Sequence, residues 1–208
     1  MSPNAGASWY SEALLPSAFL ARYSGDNLAE SWTHADAVVG HFQIGADAKG
    51  DCKIDNCASQ FVVCEAKVFS KLSPGVKNAP YYDQAARNVA CMAEVLRRGS
   101  INPSNLTDLA FYVVAPAEMI DLSVFTSNLT KESIERKVRQ RVGEYVSVTH
   151  DAWLNDWFLP LLNKITIDSI SWEKIVKFIG RHDSLGGKAI GAFYENVLKF
   201  NRPAGYEV

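Results

Sequence analysis

Residues 60–69 read QFVVCEAKVF, a run that is apolar almost throughout and broken only by Glu65 and Lys67. Its β-branched and aromatic content predicts a strand buried on both faces, near the middle of a sheet. Successive strand side chains alternate, so Glu65 and Lys67, two apart, share one face. Two charges in such a strand are costly to bury without compensation. An ion pair between them is one form of compensation. A divalent cation with its water is another, because a carboxylate anchors the ion and an ammonium beside it can orient the water.

Upstream, residues 37–45 (AVVGHFQIG) have strand character, and 46–50, with Asp47 and flanking glycines, supply turn chemistry. The two strands are expected to pair as a hairpin. Asp36 heads the first of them and would be carried towards Glu65, giving two carboxylates that can share a cation. Asp51 and Asp55 are rivals for that place, but they stand among turn and polar residues. Glu12 and Glu30 are further acidic candidates for the same site. His41 has odd parity to Asp36 and should face away, and His34 reads as a polar loop residue. Residues 8–24 place Leu14, Leu15, Phe19 and Leu20 at helical spacing, which predicts a first helix bent at Pro16.

Downstream, 70–79 is a loop carrying Lys71 and Lys77. Asn78 is the expected N-cap of a helix over 80–98, which ends at Gly99 with Arg97 and Arg98 in its last turn. Gln84 and Arg87 lie three apart on one helix face. Residues 109–115 (LAFYVVA) form another buried strand. A charged helix over 131–145 mixes Lys131, Arg136, Lys137, Arg139 and Arg141 with Glu132, Glu135 and Glu144, which predicts a salt-bridged solvent face. An apolar helix over 153–163, a short strand over 165–170 and helices over 172–178 and 187–200 complete the chain. This order predicts an α/β fold, a three-layer sandwich around a small mixed sheet. It is expected to form a single domain over 1–208, with a core at 8–115 and a helical elaboration at 126–208.

Asp36, the Glu65-Ala66-Lys67 strand and the Gln84-Ala85-Ala86-Arg87 helix together resemble the PD-(D/E)XK, or restriction-endonuclease-like, nuclease superfamily. The similarity covers roughly residues 8–115. It implies a restriction-endonuclease-like core in which Asp36, Glu65 and the carbonyl of Ala66 ligate Mg²⁺ or Mn²⁺. It further implies that Lys67 activates the water for attack on a phosphodiester, that Gln84 orients the water or Lys67, and that Arg87 holds a phosphate. Lys71, in the loop after the strand, would meet the backbone of a nucleic acid, with DNA the expected polymer. The chain departs from the pattern at Ala35, where a proline often precedes the Asp. The alternative within the fold is a catalytically inactive binding module, against which the intact set of four residues argues.

Of the 208 residues 48% are hydrophobic, enough for one sizeable core, and the net charge of −2 gives no basic surplus of the kind nucleic-acid binders usually show. A nuclease of this composition must therefore work through a local cleft. No apolar run is long enough to span a membrane, and residues 1–8 lack the features of a secretory signal, so a cytoplasmic protein with no membrane partner is expected. Cys52, Cys57, Cys64 and Cys91 form no CxxC pair and are expected to be reduced thiols, with Cys64 and Cys91 packed in the core. No separate recognition module is visible. Specificity would come from a homodimer, a partner protein or the C-terminal helices.

Overall fold

The computed structural model describes residues 2–203 apart from 31, 47–48, 76 and 146–147. Five strands form the main sheet: β1 (Ser8–Pro16), β2 (Trp32–Gly40), β5 (Gln60–Ala66), β6 (Asp108–Ala115) and β7 (Thr166–Ser171), in the order β1-β2-β5-β6-β7. The β1–β2 and β2–β5 pairs are antiparallel, whereas the β5–β6 and β6–β7 pairs are parallel. Between β2 and β5 the chain makes a second, two-stranded sheet from β3 (Phe42–Ile44) and β4 (Cys52–Ile54). The expected α/β architecture with a mixed sheet is present. The expected 37–45 strand is broken at His41, and the turn read at Asp47 lies outside the described residues.

The parallel strands require long crossovers. Helix α1 (Gln84–Gly99) makes the first, from β5 to β6. The second, from β6 to β7, runs through α2 (Ala117–Asp121), α3 (Lys131–Tyr145), α4 (Val148–Trp153), a π turn at Leu154–Phe158 and α5 (Leu159–Lys164). The single helix expected over 153–163 is thus split by that π turn. Helices α6 (Trp172–His182) and α7 (Ser184–Asn201) close the chain as a hairpin. Phe61 and Val63 of β5, fully buried, join α1 residues Val89, Met92 and Leu96 in one core. On the other face of the sheet, Val62, Cys64, Tyr112 and Val114 line an open cavity of about 470 Å³, with Lys174 and Ile175 of α6 also lining it.

Two segments differ from the sequence reading. Residues 8–16 are an edge strand, not a helix: Trp9 and Tyr10 are exposed, while Ala13 and Leu15 are fully buried. The helical spacing arose because Leu14 and Leu15 end a strand, while Phe19, in the loop that follows, enters the aromatic part of the core, stacking on His150 at 5.5 Å and meeting Tyr82 edge-on at 5.7 Å. Helix α1 starts at Gln84, later than expected. Asp83 caps it in place of Asn78, accepting the Ala86 N–H at 3.1 Å, and its other oxygen takes Lys137 Nζ at 2.6 Å.

The β1–β2 register places Glu12 across from Asp36, between the Ser11–Ala37 and Ala13–Ala35 pairs. Glu12 sits at φ 56°, which costs a non-glycine residue about 1–2 kcal/mol. At the same level the buried positions of β2 change phase, from Thr33 and Ala35 to Val38 and Gly40. An irregularity of this kind re-aims side chains locally, and here it falls on Asp36. Glu12→Gly should raise stability by about 1 kcal/mol, read as a melting temperature roughly 2–4 °C higher.

Candidate active site

Asp36 is positioned by the point where two strands part. The β2–β5 ladder runs from Gly40–Phe61 to Ala37–Cys64, and beyond it the Asp36 side chain reaches across, Oδ2 accepting the Ala66 N–H at 2.7 Å. Glu65 projects from β5 under the first turns of α1 and is 2% exposed. Lys67 lies just past the strand, but its N–H still donates to the Val114 carbonyl at 2.7 Å, so the chain stays extended. Its carbonyl accepts Trp172 Nε1 at 2.9 Å. Held this way, Lys67 returns to the face of Glu65, and its Nζ donates to Oε1 at 2.8 Å.

The helix supplies the rest. Gln84, the first residue of α1, donates its amide to Glu65 Oε1 and accepts the Ser73 N–H at 3.1 Å. Asn88, one turn on, donates to Glu65 Oε2 at 3.2 Å, and its Oδ1 is buried with no hydrogen-bond partner. Burial pushes the Glu65 carboxyl up to about 7; Lys67 opposes the shift and the nearby Asp36 carboxylate reinforces it. Sequence reading missed Asn88. Its signal was the four-residue spacing from Gln84, which places both amides over the same strand.

Asp36, Glu65, Ala66, Lys67 and Gln84 thus come together. Arg87 does not join them. It is half-buried, its Nε has no hydrogen-bond partner, and its charge acts on Glu30, whose carboxyl burial raises while Arg141 and Arg87 pull it down. The three-residue step from Gln84 turns Arg87 away from Glu65, whereas the four-residue step to Asn88 does not. Lys71 is exposed on the rim of a 440 Å³ cavity that includes Tyr81, Arg136 and Lys137.

Most of the rival residues fall elsewhere, and Glu12, across the β1–β2 ladder from Asp36, has an exposed side chain beside His34. Asp55 accepts Gln43 Nε2 at 3.2 Å on the small sheet, and Asp51 bridges to Leu14 of β1. Glu12 is on the strand, not a helix, and lies 3.6 Å from His34, itself a β2 residue and not part of a loop. His41 accepts from the Ser59 and Gln60 N–H groups at the far end of β5. Glu30 is paired with Arg141. The four cysteines are free; Cys91 is buried in the core, and Cys64 is half-buried on the opposite sheet face from Glu65.

Could these residues hold a divalent cation? Among the described residues no three His, Cys, Asp or Glu side chains gather in one place. The donors are instead two carboxylates, the Ala66 carbonyl and the orphaned Asn88 Oδ1, an all-oxygen set. Mg²⁺ suits such a set, since it is commonly held by one or two carboxylates and keeps several waters. Crowding Asp36 against a buried Glu65 also leaves a local excess of negative charge that a cation would relieve. In chemical type, these oxygen donors suit the ion. No family model, no curated protein and no solved structure matches this chain.

Proposed function

We propose that this chain is a Mg²⁺- or Mn²⁺-dependent nuclease with a restriction-endonuclease-like core, hydrolysing phosphodiester bonds, with DNA as the expected substrate. The observation that carries the reading is the meeting of Asp36, Glu65 and Lys67 at one strand end, with Asp36 bonded to the N–H of Ala66 and Lys67 bonded to Glu65. When bound, the cation would supply positive charge against the developing phosphate charge and lower the pKa of water. Asp36, Glu65 and the Ala66 carbonyl would hold it. Lys67, a compact three-donor ammonium, would orient the attacking water and the phosphate oxygens. Gln84 and Asn88 keep the Glu65 carboxylate from rotating, and Ser73 keeps Gln84 from doing so.

One observation favours a second reading, an inactive binding module of the same fold. Both Glu65 oxygens already have protein donors, and so does Asp36 Oδ2, which makes a self-sufficient polar network.

Thermal melting with and without metal separates the two. Cation binding needs both carboxylates ionised, and the Glu65 carboxyl titrates near 7. In the free protein a carboxyl pKa raised above its unfolded value makes stability fall as pH rises through that window. Added Mg²⁺ or Mn²⁺ should reverse this, so the metal-induced rise in melting temperature should be larger above pH 7 than below it. A metal effect that is absent at every pH would favour the inactive module.

A further inference from the structure

Helix α7 is apolar on two opposite faces. One face, with Gly187, Ile190, Gly191, Tyr194 and Val197, packs on α6: a Cβ on Gly187 would stand 2.2 Å from the Gly180 Cα, and the Trp172 and Tyr194 rings lie 6.4 Å apart. The other face carries Leu185, Phe193 and Phe200, which are 82%, 67% and 77% exposed, with Ala189 and Ala192 between them. At 3.6 residues per turn these five lie on one side of the helix, interrupted by the exposed Asn196 and edged by Lys199, whose Nζ sits 5.5 Å from the Phe200 ring centroid. A surface helix ordinarily keeps one apolar stripe against its core, and a second, exposed one marks a surface for a partner. Neither Lys188 nor Glu195, which border the stripe on one side, has an ion-pair partner among the described residues.

We infer that this stripe is an interface between two copies of the chain, formed by α7 packing antiparallel against α7 about a two-fold axis near Ala192 and Phe193. The stripe is self-complementary in that arrangement. Leu185 of one copy meets Phe200 of the other, and Phe193 packs over the alanines. Lys188 of each copy comes beside Glu195 of the other, so the two unpaired charges neutralise each other along the border. Aromatic side chains bury about 150–250 Å² each, so the three large residues from both copies contribute on the order of 800 Å². The alanines and the flanking Lys and Glu stems bring the total towards the roughly 1,000 Å² that a specific interface needs. The stripe lies apart from Glu65, and the inference is independent of any catalytic role.

Sedimentation equilibrium of the full chain at tens of micromolar should give twice the 22.9 kDa of one copy. Phe193→Glu should weaken the dimer by about 30-fold or more with unchanged helix content by circular dichroism, since the residue is exposed. Lys188→Glu and Glu195→Lys should each weaken it about two- to fivefold, and the pair together should restore it. A wild-type monomer at that concentration overturns the inference. So does a dimer indifferent to Phe193→Glu, or a monomer whose stripe is needed instead for binding an added oligonucleotide or lipid vesicle.

Discussion

Arg141→Met should lower the unfolding free energy by about 3–5 kcal/mol, a fall of roughly 6–20 °C in melting temperature for a chain of this size. Arg141 is fully buried. Its guanidinium donates to the Leu28 carbonyl, lies 3.3 Å from both Glu30 Oε1 and Glu144 Oε2, and sits 5.1 Å from the Tyr145 ring centroid. Without it Glu30, whose side chain is 7% exposed, keeps a buried carboxylate with only Arg87 to oppose it. Breaking a buried pair from one side costs more than the pair contributes, because the surviving charge is left desolvated. The loss should therefore shrink in acid, where Glu30 protonates. Adding Glu30→Leu should recover much of the stability. Denaturant unfolding of the two variants gives both numbers; an Arg141→Met variant as stable as the parent would contradict the cost assigned to the stranded Glu30 carboxylate.

Asp36→Asn should show the opposite balance of effects. If the chain is the proposed nuclease, cleavage should fall by at least about 10²-fold, because the substitution removes a charged ligand that would hold the cation stabilising the transition state. The fold should survive, since an asparagine Oδ1 can still accept the Ala66 N–H that Asp36 takes at 2.7 Å. Stability without metal should hold or rise at alkaline pH, because Asp36 reinforces the upward shift of the Glu65 carboxyl and the substitution removes that repulsion. The metal-induced gain in melting temperature should be lost. A catalytic site that holds like charges together stores this kind of cost. Kinetics and melting curves on one protein preparation check both halves; an Asp36→Asn protein that still binds Mg²⁺ as tightly as the parent contradicts the ligand assignment.

The central strands of the sheet and the shared face of Glu65 and Lys67 were legible because they rest on local signals. The apolar run through 60–66 and the buried run through 109–115 are strands, and Glu65 and Lys67 share a face, as period-two alternation requires. Helix α3 has its expected bounds, Lys131–Tyr145. What local signals could not supply was the long-range partner. The charge pattern of α3 is the same for a solvent face and for a face carrying Lys137 into Asp83 and Arg141 into Glu30. Arg139, exposed and paired with Glu135 at 2.7 Å, and the exposed Arg136 behave as the pattern predicts. The edge strand β1 was unreadable for a similar reason. Its outer half is exposed, so it shows no clean alternation, and its apolar end runs into a loop whose Phe19 is also buried in the core. Arg87 was placed on the Gln84 face by a three-residue step, but the strand lies under the four-residue step, where Asn88 is.

The most direct measurement is cleavage of plasmid, linear duplex, single-stranded DNA and RNA in Mg²⁺ or Mn²⁺ by the parent protein, with Glu65→Ala and Lys67→Ala prepared in parallel. The account predicts metal-dependent cleavage of at least one polymer by the parent, with DNA foremost. It also predicts a loss on the order of 10²–10⁴-fold in Lys67→Ala, as for removal of a group that positions and helps deprotonate the nucleophile, and no measurable cleavage in Glu65→Ala. Cleavage that persists in both variants, or a parent protein that cuts none of the four, would contradict it.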